Sequence, residues 1–127
     1  MKKLFFLPLL ALLIMATTDH TPYKVDTQNS VVVWTGYKVT GKHTGTVKIK
    51  NGSIMTEGVR LIGGSFDIDM TSIACTDLEG EYAGKLEGHL KSDDFLGTAT
   101  YPTAAFVITK VIPQDTKGNY KILGNLT

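Results

Sequence analysis

The chain has 127 residues, with 13 lysines and arginines against 12 acidic residues, and a single cysteine. This length fits one domain. The nearly balanced charge provides no basic patch for a nucleic-acid partner, and one cysteine excludes an internal disulfide. Burial of apolar side chains and strand pairing must therefore stabilise the fold.

Residues 1–16 predict a signal peptide that is removed on export. Lys2 and Lys3 precede an apolar run over Leu4–Ala16. This run is shorter than the roughly 20 residues that a membrane-spanning helix needs, and it is typical of a secretory signal. We expect cleavage after Ala16 and a periplasmic or secreted protein that does not span a membrane. An N-terminal anchor helix is the alternative.

After a short N-terminal tail over residues 17–22, alternation of apolar and polar residues predicts strands with one buried face. A first long strand is expected over Val31–Val39. A second over Thr46–Lys50 is followed by Asn51-Gly52, a dipeptide typical of tight hairpin turns. Ser53–Thr56 would then be the returning strand.

A further tight turn is predicted at Glu57-Gly58, before a long strand over Val59–Met70. Gly63-Gly64 inside this strand indicates a bulge, which is how sheets bend in barrels. Phe66, Ile68 and Met70 share one face of it because they alternate with polar residues.

The pattern changes to helical spacing between Asp77 and Asp94. Four apolar residues recur there about once per turn and predict one short amphipathic helix: Leu78, Tyr82, Leu86 and Leu90. Strands resume over Thr103–Ile112 and, after a polar turn, from Tyr120. The last strand is still running at Thr127, so we expect a barrel that lacks its final strands.

No catalytic or metal-binding constellation is predicted. The three histidines lack the close spacing of a metal site, and Cys75 is interpreted as buried filler. His43 lies in a glycine-rich loop that could border the mouth of a cavity. Large apolar residues either fill the core or line a cavity, and periodicity does not distinguish the two.

Several segments together resemble the YceI-like family, in order along residues 23–127. They are Tyr23–Trp34, Thr71-Ser72-Ile73, Leu90–Phe95, Tyr101–Phe106 and Gly124–Thr127. The resemblance implies an all-β fold: a lipocalin-like antiparallel barrel with one short helix against it. Asn29 stands where many members have histidine, and the last third of the usual domain is not matched.

The resemblance also implies a non-enzymatic carrier with an internal cavity for a long-chain amphiphile, such as a polyisoprenoid, a quinone-like compound or a fatty acyl compound. Its lining is expected to include Trp34, Tyr37, Phe66, Ile68, Phe95, Phe106 and Ile108. His43 is the head-group candidate. No cofactor is expected, and a homodimer is left open.

Three other classes compete with the carrier. An outer-membrane barrel would need an apolar outer band, whereas Lys48, Lys50, Asp67 and Asp69 occupy the outward positions. An enzyme acting on a lipid in the cavity lacks a residue set to nominate it. A secreted interaction module with a filled barrel is the main alternative.

Overall fold

The computed structural model describes residues 17–127, and the predicted signal peptide lies outside them. These residues form six antiparallel strands and one helix. In chain order the elements are β1 (His20–Lys24), β2 (Val32–Lys38), β3 (Gly41–Glu57), β4 (Arg60–Cys75), α1 (Gly80–Lys91), β5 (Thr103–Pro113) and β6 (Tyr120–Leu126). The predicted class, mostly sheet with one short helix, is confirmed.

The six strands form one open sheet around β3. β1 pairs with the C-terminal part of β3 and β2 with its N-terminal part, while β4, β5 and β6 follow in order on the other side. Within residues 17–127 no pairing joins β6 to β1 or β2. The sheet is therefore not closed, in agreement with the expected incomplete barrel.

The predicted hairpin turn at Asn51-Gly52 is wrong. β3 continues straight through it, and Asn51 and Gly52 pair with Asp67 and Phe66 of β4. A Cβ at Gly52 would lie 2.9 Å from Cδ1 of Phe66. The glycine lets an aromatic ring lie close to the strand, so cross-strand packing overrides the local turn preference.

The predicted tail over residues 17–22 also needs correction, because its second half belongs to the sheet. His20–Lys24 forms β1, which pairs antiparallel with Ser53–Glu57 of β3. The alternating pattern of β1 is weak since all five of its residues are exposed. Backbone pairing, which side-chain periodicity does not report, determines this strand.

Two glycine predictions are confirmed. The chain reverses between β3 and β4 at a tight turn in which Gly58 has a φ of 61°. Met55 pairs with Gly63 whereas Thr56 pairs with Leu61, so one extra residue is accommodated in β4. This bulge bends the long β3–β4 ribbon near the predicted position.

Helix α1 packs against β4 and lies within the predicted range. Its Glu87 carboxylate accepts a hydrogen bond from the backbone N–H of Cys75 at the end of β4, at 2.9 Å. After the helix the chain returns to the sheet, where the Met70 N–H donates to the Pro102 carbonyl, also at 2.9 Å. These bonds hold the segment from α1 to β5 beside the sheet.

Few apolar side chains are buried. Among the residues that the structure describes, only Val47 and Ile73 fall into this group, each 6% exposed. Much of the apolar surface of the sheet is therefore not covered by a packed core. No helix within residues 17–127 is long and apolar enough to cross a membrane.

Candidate functional site

A cavity of about 860 Å³ lies between the sheet and the segment that runs from α1 to β5. Its volume is within the range of about 300–1,000 Å³ that is usual for small-molecule sites. Fifteen residues line it, and none has a charged side chain: Trp34, Gly36, Val47, Ile68, Met70, Ile73, Leu90, Phe95, Leu96, Tyr101, Thr103, Ala104, Ala105, Leu126 and Thr127.

The sheet contributes one side of the cavity and the helical segment the other. Trp34 in β2 and Ile68 in β4 belong to the sheet side. Leu90 from the last turn of α1, together with Phe95 and Leu96 from the loop that follows, forms the opposite side. Phe95 is 60% exposed although it lines the cavity, so it lies at the open mouth.

Trp34 is held by a close contact with the neighbouring strand. It pairs directly with Gly45, and a Cβ at Gly45 would lie 2.5 Å from Cζ2 of the indole and would overlap the Ala74 carbonyl oxygen. The indole N–H donates to the Thr46 carbonyl at 3.3 Å. Because its polar atom is satisfied, the ring presents only apolar surface to the cavity.

Three of the seven predicted lining residues are in the cavity wall: Trp34, Ile68 and Phe95. Phe66 and Phe106 are not, although they pair with each other and continue the same face of the sheet. Each ring lies against a glycine of a neighbouring strand, Phe66 against Gly52 and Phe106 against Gly124. Both rings therefore cover the sheet instead of bordering the cavity.

Tyr37 and Ile108 are also outside the cavity wall. Tyr37 is three residues from Trp34 in β2, so strand alternation puts it on the opposite face, where it is 81% exposed. Ile108 pairs with Gly124 and is half-buried beyond the end of the cavity. Whether any predicted residue contacts a ligand stays a prediction.

The prediction that large apolar residues line the cavity missed several lining residues. Met70 was expected to share a face with Ile68, and Leu90 lies on the predicted apolar side of the helix, so both had a signal in the sequence. Gly36 and Ala104 had none. Small residues make a cavity by leaving space, and their apolar character alone does not identify them.

His43 takes part in a hydrogen-bonded cluster beside the cavity. Its Nδ1 lies 3.1 Å from Oδ2 of Asp77, while Oδ1 of Asp77 accepts hydrogen bonds from the Cys75 thiol at 3.0 Å and from the Thr44 N–H at 3.2 Å. In the β2–β3 ladder His43 is directly opposite Gly36. It is therefore next to the cavity but not in its wall.

The cluster keeps the Asp77 carboxylate ionised and the Cys75 thiol protonated. Hydrogen bonds from Cys75, Thr44 and His43, with the charge of His43, lower the pKa of Asp77 from 3.8 to about 2. Burial, followed by the hydrogen bond to Asp77, raises the pKa of the Cys75 thiol. Such a thiol is a poor nucleophile because the thiolate is the reactive form.

The described part of the chain contains no group of three or more histidine, cysteine or acidic side chains arranged to hold a metal ion. Asp77 instead joins β3 to the connection between β4 and α1, through Thr44 and His43. Its structural effect is to fix the start of the helical segment that forms the far side of the cavity.

Within residues 17–127, the open antiparallel sheet, the one helix and the open-mouthed cavity between them define a β-sheet protein with an apolar site. The YceI-like domain matches the chain over residues 23–127, and the chain belongs to this family. No curated protein matches it.

Proposed function

We propose that the protein is a carrier that binds a long-chain amphiphile, of the polyisoprenoid, quinone-like or fatty acyl type, in the cavity between α1 and the sheet. The observation that carries this proposal is the cavity of about 860 Å³ with its uncharged, largely aliphatic and aromatic lining. Membership of the YceI-like family supports the same ligand class.

The energetics suit such a ligand. Each methylene group that leaves water for an apolar site contributes about 0.8 kcal/mol. A chain of ten or so carbons therefore gains about 8 kcal/mol, against a cost of immobilisation of at least about 4 kcal/mol, and longer chains gain more. Binding of this kind needs an apolar wall and an open mouth but few polar contacts.

We propose that the function is binding without chemistry, in the periplasm or outside the cell. The titratable groups nearest the cavity support this view, since Nδ1 of His43 is already engaged by Asp77 and the raised pKa of Cys75 disfavours its thiolate. The location rests on residues 1–16, whose lysines and apolar run are typical of an export signal.

The alternative, an interaction module with a filled barrel, requires a dense apolar core. Among residues 17–127 only Val47 and Ile73 are buried apolar side chains, and both border the cavity. This favours the carrier.

Fluorescence of Trp34 tests the proposal directly, because Trp34 is the single tryptophan and lines the cavity. Titration of the full-length protein with a long-chain isoprenoid alcohol should shift the emission to shorter wavelength and saturate near one ligand per chain. An unchanged emission, together with no ligand retained after gel filtration, would contradict a carrier function.

A further inference from the structure

We infer that the cavity selects ligands whose head group is uncharged and discriminates against those with an anionic head group. This inference rests on the proposed function, because it concerns the ligand of the same cavity. It follows from the charges in and around the wall.

The wall provides no countercharge. Apart from the indole N–H of Trp34, which is bonded to the Thr46 carbonyl, its polar side-chain groups are the hydroxyls of Tyr101, Thr103 and Thr127. Hydroxyls can bond to an alcohol, a carbonyl or a phenol as well as water does. A phosphate or carboxylate would lose its hydration in exchange for neutral donors, and burying a charge without a countercharge is strongly unfavourable.

The charged groups opposite Gly36 and beside Phe95 include carboxylates, which are unfavourable for an anion. His43, opposite Gly36, is already committed to Asp77, and the pKa of about 2 keeps that carboxylate charged at neutral pH. At the mouth, the exposed Asp93 and Asp94 directly precede Phe95.

Two lysines also lie near the cavity, and Lys38 is on the same face of β2 as the lining residue Gly36, two positions further along. Lys91 in the last turn of α1 is next to the lining residue Leu90, but two carboxylates follow it within three residues. An anionic head group that stayed beside Phe95 would therefore meet two carboxylates against one ammonium group, and the resulting repulsion is screened by salt but not removed.

Paired ligands that differ only in the head group test the inference. Trp34 fluorescence of the full-length protein is titrated with geranylgeraniol and with geranylgeranyl phosphate, both below their aggregation concentrations, at neutral pH. The alcohol should bind at least about tenfold more tightly, corresponding to about 1.4 kcal/mol. Equal affinity, or tighter binding of the phosphate, would overturn head-group selection and leave the carrier function intact. If neither ligand binds, both proposals fail.

A charge introduced into the wall gives the matched test. A Cβ at Gly36 would meet only Cζ3 of Trp34, at 3.8 Å, so Gly36→Lys adds an ammonium group beside the cavity without backbone strain. It should reduce the preference for the alcohol at least about threefold, since the phosphate gains a partner. Tyr37→Lys, one residue further on the opposite face, should leave the preference unchanged. Equal effects of the two variants would overturn the inference.

Discussion

Gly36 and His43, which pair across β2 and β3, belong to regions of opposite character. Gly36 is one of the fifteen wall residues, none of which has a charged side chain. His43 belongs to a cluster in which the Asp77 carboxylate accepts three hydrogen bonds. Beside the wall, Gly45 lets the Trp34 ring lie close to the neighbouring strand. In the cluster, Asp77 fixes the chain that leads into the helix. Close packing shapes the cavity wall, and hydrogen bonds position the helical segment on its far side.

Filling the wall should have the largest effect on function. Ala104→Phe introduces a ring into the space that the ligand needs, because Ala104 lines the cavity. We expect a loss of affinity for a long-chain alcohol of at least about tenfold, measured by Trp34 fluorescence. Val107→Phe is the control, since Val107 is half-exposed and three positions along the same strand, on the other face. Equal affinities of the two variants would argue against this binding site.

The glycine contacts can be tested by a pair of alanine variants. Gly45→Ala forces a methyl group into the Ala74 carbonyl and the Trp34 ring, and we expect it to reduce the free energy of unfolding by about 1–3 kcal/mol. Gly36→Ala has room and should change it by less than about 0.5 kcal/mol. Urea unfolding measures both, and similar values would show that the close packing of Trp34 is unimportant.

A smaller effect is expected at the mouth. Phe95→Ala removes a ring that is 60% exposed but lines the cavity, so ligand affinity should fall about three- to tenfold. Tyr37→Ala, on the outer face, should change affinity less than about twofold. A larger loss for Tyr37→Ala than for Phe95→Ala would show that the ligand binds on the opposite face of the sheet.

The smallest effect belongs to the polar cluster. Because folding lowers the pKa of Asp77 from 3.8 to about 2, its contribution to stability is present above pH 3.8 and is lost as the pH falls towards 2. In urea unfolding over this interval, wild type should lose more stability than Asp77→Asn does. Parallel pH profiles of the two proteins would mean that the Asp77 hydrogen bonds do not depend on its charge.

Strand periodicity and the YceI-like segments predicted most of the fold. The long strand over Val59–Met70, its bulge and the turn at Gly58 follow from local patterns of β-branched residues and glycines. The continuous strand through Asn51-Gly52 could not be predicted from local patterns, because Gly52 contacts Phe66 of another strand. The same dipeptide serves a turn or a close packing contact, and only the pairing partner decides which.

The site was less predictable for the same reason. Trp34 and Ile68 were identified as large residues on inward faces, whereas Phe106 satisfied the same rule and lies over Gly124 instead. Gly36 and Ala104 line the cavity because they are small. The shape of an empty space depends on which strands become neighbours, and hydrophobicity along one strand does not contain that information.

The central claim is that the cavity between α1 and the sheet holds a long-chain amphiphile. Its most direct test is mass spectrometry of organic extracts from the full-length protein and from Ala104→Phe, purified side by side from the same cells. We expect a near-stoichiometric amphiphile, uncharged at its head group, in the wild-type extract and its depletion in the variant. The absence of any enriched amphiphile from the wild type, or equal amounts in both extracts, would show that the cavity does not hold such a ligand.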